Sequence, residues 1–389
     1  MALDKIILVS NPGSASRKYA LFKGNTCVAE YHFEFKHNRV ICHHGGNEVF
    51  VNISHVAFAP TILIDLIATS LPGFDIQRLH AIALRIVAPS SFFQRDHRLT
   101  QAVVKRLERM LAIAPLHIGA TLSEYAMLKA SLPKITFCGI SDSAFLARKP
   151  EKAMHYGLPF KDANKLDIKR FGYHGLSLES IVSQLKIIKQ MPQRVIICHI
   201  GGGVSIAAIR NGRVIDSTMG FSPLEGVMMA TRSGSIDLLA VDVLRHKNKL
   251  NHDKMYDYFN ARSGLLGVSG YSSDIRELLD AESKDKQVKL ALEMYVYKIQ
   301  QAIGSMASTM NGADALVFTG TVGQRSSEIR KRICSNTLYL GFSIDAAENR
   351  KTVKNNVALI SKVSHPAKVF VVKTDENSVI AQHAQKLLS

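Results

Sequence analysis

Tryptophan is absent from this 389-residue chain, aromatic residues make up only 7% of it, and it carries 11 prolines and five cysteines. Each scarcity excludes something. Cys27, Cys42, Cys138, Cys198 and Cys334 form an odd set without a C-x-x-C pair, which argues against a disulfide framework and a structural zinc site and points to a reducing compartment. So few prolines beside 25 glycines rule out a collagen-like or linker-rich chain. Long apolar runs are also missing. The most apolar stretch, 56–71, contains Asp65 and its core is bracketed by Pro60 and Pro72, so no clean span of about 20 residues is available for a membrane helix. The N-terminal run Ile6-Ile7-Leu8-Val9 is too short for a signal peptide. A cytoplasmic protein without a membrane partner is expected.

What is present is enough for real cores: 47% hydrophobic residues over a length that suits two domains. Lys and Arg number 49 against 32 Asp and Glu, a formal charge of +17. The basic residues are scattered, with short clusters at Arg245-His246-Lys247-Asn248-Lys249 and Lys284-Asp285-Lys286 and no aromatic-basic stacking motif. This reads as a solvated basic surface that favours small anionic ligands and has no specific nucleic acid as partner.

Two stretches share one design. Lys5 to Ser10 leads into Asn11-Pro12-Gly13-Ser14-Ala15-Ser16 and resumes at Tyr19-Ala20-Leu21-Phe22; Arg194 to His199 leads into Ile200-Gly201-Gly202-Gly203-Val204-Ser205 and resumes at Ile206-Ala207-Ala208-Ile209. Each reads as a β-hairpin whose tip exposes backbone N–H groups and hydroxyls, a cradle for phosphate. Asn211-Gly212 predicts a type I′ turn into a third strand. Helical periodicity follows at 102–111, 177–189, 236–246, 286–311 and 377–388, with buried strands at 314–320 and 367–372. Strands followed by helices in two similar halves predict an α/β architecture with mixed sheets. The softest boundary is Arg148-Lys149-Pro150-Glu151-Lys152.

Isolated polar residues recur in apolar settings: Arg85, His117, Asp142 and His174. Together they suggest a cleft. Phosphoryl transfer needs this kind of set, with cationic groups on the moving phosphoryl, a carboxylate for Mg²⁺ and amides around the phosphates.

The ordered segments resemble the acetate kinase family of short-chain carboxylate kinases, which move the γ-phosphoryl of ATP to a small carboxylate. Asn11 to Lys18 is similar to that family's N-x-G-S-S-S-x-K signature, Lys169 to Gly175 to its segment ending in F-H-G, and His199 to Ser205 to its H-L-G-x-G-x-S loop. Met219 to Gly234 matches almost throughout, followed in order by Gly264 to Gly270, Asp274-Ile275-Arg276, Phe318-Thr319-Gly320 and Thr374-Asp375-Glu376. The resemblance covers nearly the whole chain.

It implies a duplicated actin-like α/β fold, as in the sugar kinases, with two lobes flanking an active-site cleft: residues 1–147, onto which the terminal helix 377–389 packs back, and residues 148–376 for nucleotide binding and dimerisation. It implies that Arg85 and Arg232 hold the carboxylate and the moving phosphoryl, that His174 donates to the phosphoryl, and that His117 lines the same site. Asp142 would act in catalysis and, with Glu376 and Asn11, hold Mg²⁺, with Mn²⁺ able to replace it. Val87, Leu116, Tyr173 and Pro223 would form the substrate pocket. Lys18, Ser14, Ser16, His199, Gly201, Gly202, Gly203, Asp274, Ile275, Arg276, Gly320, Thr321 and Val322 would bind phosphate and ATP. The partners implied are a short-chain carboxylate, a nucleotide and a second copy in a homodimer.

Three departures stand out. After Arg85 the family's V-[VM]-H-G-G is replaced by Ile86-Val87-Ala88-Pro89-Ser90; Thr321 and Gln324-Arg325 stand in the adenosine-side motif; and Ser235 takes the place of Asp. The second leaves GTP or pyrophosphate open as donors. A non-catalytic anion-binding relative is the remaining reading.

Overall fold

The computed structural model describes residues 5–13, 16–36, 39–351, 356–362 and 364–389. The chain forms two compact units, Met1–Ala147 with Asp375–Ser389, and Arg148–Thr374.

In the first unit the strands are β1 (Ile6–Pro12), β2 (Ser16–Lys23), β3 (Thr26–Lys36), β4 (Arg39–His44), β5 (Asn47–Val51), β6 (Ala81–Ile86), β7 (His97–Arg98) and β8 (Thr136–Ser141). They make one sheet in the order β5-β4-β3-β2-β1-β6-β8-β7. The meander β1 to β5 is antiparallel, while β6 pairs parallel with β1 and β8 parallel with β6. The second unit holds β9 (Arg194–Ile200), β10 (Val204–Arg210), β11 (Arg213–Ser217), β12 (Ala315–Thr319), β13 (Val357–Leu359) and β14 (Lys368–Val372), in the order β11-β10-β9-β12-β14-β13. Here too an antiparallel meander is extended by two parallel strands, β12 on β9 and β14 on β12. The two units therefore share one plan of mixed sheets.

The inner strands are continuous apolar runs because both faces are covered. Ile7, Leu8 and Val9 in β1, Ala81 to Leu84 in β6, and Val195 to Cys198 in β9 are all buried. Both expected hairpins form, with Pro12 paired to Arg17 and Ile200 to Val204. The Asn211-Gly212 turn has φ of 52° and 74°, the left-handed pair that a type I′ turn requires.

The helices Gln101–Glu108, Gly175–Ile187, Leu238–Lys247, Lys286–Met310 and Glu376–Leu388 fall within a few residues of the sequence expectation. Helix Lys286–Met310 buries Val288, Leu292, Tyr295, Ile299, Ile303, Met306 and Met310 at spacings of three and four. Helix Glu376–Leu388, capped by Asp375, packs on β1, β6 and β8. Helices Ala59–Ser70 and Pro115–Ser131 were not apparent from periodicity. The second buries Thr121 and Glu124 beside Ile118 and Leu128, so its inner face does not read as apolar. Lys149, in the stretch that reads as a charged boundary, is buried and donates from Nζ to the carbonyl of Arg170 at 2.7 Å. That burial lowers its pKa to about 8. No helix among the described residues is long and apolar enough to cross a membrane.

Candidate active-site residues

Parallel strands place functional groups at their carboxyl ends, where the sheet stops and backbone groups open outward. In the first unit Asn11 lies near the end of β1, Arg85 next to the end of β6, Asp142 directly after β8, and Glu376 at the start of the terminal helix. The structure brings these four together. Arg85 Nη2 is 3.1 Å from Asp142 Oδ2, and its Nη1 is 3.5 Å from Glu376 Oε2 and donates to Asn11 Oδ1 at 3.2 Å. Asn11 Nδ2 in turn donates to Glu376 Oε2 at 2.9 Å. Asp142 is fully buried. Burial works to lower the Arg85 pKa, and the Asp142 and Glu376 carboxylates outweigh it, so the guanidinium is held firmly charged.

His117 lies in the first turn of helix Pro115–Ser131, whose Thr121 hydroxyl donates to the Arg85 carbonyl at 3.4 Å and ties this helix to β6. Val87 is buried just beyond β6, whereas Leu116 is 44% exposed. The departure at Ala88-Pro89-Ser90 is a compact turn, with Ser90 N–H on the Ala88 carbonyl at 3.0 Å and Phe93 N–H on the Ser90 carbonyl at 3.1 Å. Ser16 is half-buried and Lys18 exposed on the first hairpin, while Ser14 lies outside the described residues.

In the second unit the tip Gly201–Gly203 gathers His174, His199 and Arg232. A Cβ added to Gly203 would lie 3.2 Å from Arg232 Nη1 and 3.4 Å from His174 Nε2, and one on Gly201 would lie 3.8 Å from both His199 Nε2 and the Thr321 amide nitrogen. The two imidazoles stack with centroids 4.0 Å apart. Each Nδ1 is held by a serine: His174 by Ser205 Oγ at 2.9 Å and His199 by Ser177 Oγ at 2.8 Å. His174 also adopts φ of 61°, an uncommon conformation for a residue with a side chain, immediately before helix Gly175–Ile187. Arg232 Nη1 donates to the Pro223 carbonyl at 3.4 Å, and the loop carrying it touches the tip through Ala230 N–H on the Gly202 carbonyl at 3.4 Å.

Tyr173 is buried and its hydroxyl donates to the Phe221 carbonyl at 2.6 Å, so this phenol has a backbone acceptor; Pro223 is buried nearby in sequence. Gly320 opens helix Gly320–Arg325 at φ 76°, with Thr321 exposed and Val322 half-buried. Arg330, buried below, donates to the Gly323 and Gln324 carbonyls at 2.8 and 2.7 Å and so closes this helix. Asp274 and Arg276 hold one another, Nη2 to Oδ2 at 2.6 Å, around the buried Ile275, and Arg276 keeps the Asp274 carboxyl below its usual range. Ser235, at the third departure, accepts the Gly226 N–H on its hydroxyl at 3.1 Å.

Sequence reading missed the residues that hold the site. Ser177 is an ordinary serine in sequence, and Ser205, which closes the matching glycine loop, shows its partner only in the structure; each is hydrogen-bonded to an imidazole Nδ1. Glu225 lies within the longest matching string, and only the structure shows it hydrogen-bonded to both Tyr156 and Arg170.

Two mixed sheets of one plan, each with charged groups and a turn at its parallel-strand ends, define an α/β protein. The model of the Acetokinase family matches residues 6–382. An acetate kinase of Thermoanaerobacterium thermosaccharolyticum is 33% identical over 396 residues, covering 98% of each chain. The crystal structure of Porphyromonas gingivalis acetate kinase shares 32% identity and a TM-score of 0.83, covering 99% of this chain and 100% of that one. A propionate kinase structure from Francisella tularensis subsp. tularensis shares 28% identity and a TM-score of 0.86, covering 97% and 98%. The chain belongs to the acetokinase family, and its fold is the duplicated α/β kinase fold that the motifs implied. It is a kinase.

Proposed function

We propose that this kinase transfers the γ-phosphoryl of ATP reversibly to acetate or propionate, giving an acyl phosphate and ADP. The observation that carries the reading is the Arg85, Asp142, Asn11 and Glu376 cluster at the ends of β1, β6 and β8, the motif residues of a carboxylate kinase drawn into one hydrogen-bonded group. Relatives named acetate kinase and propionate kinase support the acceptor.

The acceptor carboxylate is ionised at neutral pH and needs no general base, so the protein's work is positioning and charge neutralisation. A carboxylate oxygen forms the new O–P bond while the bond from the γ-phosphorus to the β,γ-bridging oxygen breaks, and ADP leaves with the electron pair. Arg232 offers a guanidinium fork to the phosphoryl oxygens. The Ser205 hydroxyl can donate to His174 Nδ1 and so leave Nε2–H as a donor to the phosphoryl. The turn Gly201–Gly203, whose Gly201 N–H closes on the Gly203 carbonyl at 3.0 Å, and the amides at Gly320–Val322, with Ser16, Lys18 and His199, take the phosphate and nucleotide side. Arg85 holds the substrate carboxylate, and the apolar substrate-binding roles go to Val87 in the first unit and to Tyr173 and Pro223 in the second.

The donor set of two carboxylates and an amide oxygen, all hard ligands, fits Mg²⁺ at Asp142, Glu376 and Asn11. When bound, the ion would neutralise phosphate charge.

Acyl phosphate is trapped as hydroxamate with acetate, propionate and butyrate, each against ATP, GTP and pyrophosphate. Activity with acetate or propionate and ATP is expected; no acyl phosphate with any donor rejects the function, and a preference for pyrophosphate assigns Thr321 and Arg325 a role in donor choice. Helix Leu238–Lys247 buries none of its residues while Leu238, Leu239 and Val243 are 83%, 77% and 58% exposed, which supports a homodimer formed through the second unit. Light scattering showing a stable monomer rejects that assembly. A cytoplasmic setting, with its ATP, suits the reading.

A further inference from the structure

Under the first hairpin lies a buried ion pair to which the chemistry above assigns no task. Arg17 of β2 and Glu124 of helix Pro115–Ser131 are 4% and 1% exposed, with Nε 3.4 Å from Oε2. Ser10 Oγ donates to the other carboxylate oxygen at 2.8 Å. Arg17 Nη1 reaches the opposite way, donating to the main-chain carbonyl of Gly13 and to that of Ser16 at 3.2 Å. Gly13 N–H also closes on the Ser16 carbonyl at 2.9 Å. Burial pushes the Glu124 carboxyl up, while Tyr19, Ser10 and Arg17 pull it down.

A buried pair seldom adds stability over apolar residues of the same volume, because both charges lose their hydration. Its net charge is zero, so it adds little attraction for an anion. What it does supply is direction. A guanidinium carries several donors in a rigid plane, and this one joins two carbonyls at the hairpin tip to a carboxylate fixed on the helix. The Gly13 and Ser16 carbonyls are thereby both held by one buried guanidinium.

We propose that Arg17 and Glu124 are positioning residues that hold Gly13 and Ser16, on either side of the first hairpin's turn, and with them Lys18, in the orientation that receives the donor's phosphates. The phosphate role rests on the proposed kinase reading; the order of the tip does not.

Two variants test it. Arg17→Leu/Glu124→Leu replaces the pair by apolar groups, and Arg17→Lys keeps the charge toward Glu124 without the fork. Hydrogen exchange is followed across residues 10–18 and across helix Pro115–Ser131, with thermal melting and KM for donor and carboxylate measured separately. At least one variant is expected to melt within about 4 °C of the parent. In that variant tip amides should exchange about tenfold faster and donor KM should rise about tenfold, the equivalent of one charge-assisted hydrogen bond lost, with helix exchange and carboxylate KM unchanged. Parent-like tip exchange and donor KM in either variant overturn the proposal, as does global unfolding of both, which would make the pair simply structural. If the parent forms no acyl phosphate with any donor, the kinase reading fails while the exchange result still decides the tip.

Discussion

Gly203→Ala isolates positioning from folding. Gly203 follows the bend of the second hairpin in a conformation open to any residue, so alanine introduces no backbone strain, and the loss of glycine's freedom in the unfolded chain favours the fold by about 0.4–1 kcal/mol. The new methyl would stand 3.2 Å from Arg232 Nη1 and 3.4 Å from His174 Nε2 and Cε1. Arg232 cannot stay where it is, while the His174 ring stands at the near edge of ordinary contact. Ordinary contact begins near 3.4–4 Å, so Arg232 must yield by a few tenths of an ångström, and its contacts with the Pro223 carbonyl at 3.4 Å and Met229 Sδ at 3.7 Å are loose enough to allow it. A misplacement of about 1 Å costs on the order of a hundredfold in rate, so a shift of a few tenths of an ångström should cost about 3–10-fold in kcat, or roughly 0.7–1.4 kcal/mol of transition-state stabilisation. Hydroxamate kinetics gives kcat, and thermal melting gives stability. Gly157→Ala, whose new methyl meets nothing within 4 Å, reports the generic effect of the exchange. If Gly203→Ala keeps the parent kcat within about twofold at unchanged melting temperature, Arg232 does not act where the structure places it.

Three further outcomes are expected. Asp142→Asn leaves the half-buried Arg85 without its 3.1 Å counter-charge, with Glu376 at 3.5 Å as its remaining carboxylate, and should cost about 1–3 kcal/mol of stability as well as nearly all activity; a parent-like denaturation midpoint contradicts this. Gly320→Ala puts a methyl 2.7 Å from the Ile200 carbonyl at φ 76° and should destabilise by about 2 kcal/mol or more, seen as a lowered melting temperature. Arg332 grips Glu282 at 2.7 and 2.8 Å and holds its carboxyl below the usual range. The pair's stabilisation is therefore present above the unfolded value near about pH 4.3 and lost as pH falls through the lower folded value. The melting difference between parent and Glu282→Gln should shrink on acidification, and a pH-independent difference refutes the assignment.

Much of this protein was legible in the chain alone. The two hairpins follow from runs such as Ile6 to Val9 and Val195 to Cys198 closed by glycine-bearing turns, and Asn211-Gly212 specifies its turn because both residues tolerate positive φ. The family and the residue types of the candidate site were equally legible, because phosphoryl transfer constrains them to short ordered strings. Helix Pro115–Ser131 was not, since Thr121 and Glu124 interrupt its apolar face and find partners such as the Arg85 carbonyl, Ser10 and Arg17 on distant strands. Tertiary structure alone decided which groups meet. Arg85 and Glu376 are 291 residues apart in the chain and 3.5 Å apart in space, and Ser177 and Ser205 became the residues that orient two imidazoles. Local periodicity encodes the elements. A hydrogen bond or ion pair between distant side chains leaves no mark on either stretch of sequence, and it exists only once the sheets have brought their strand ends together.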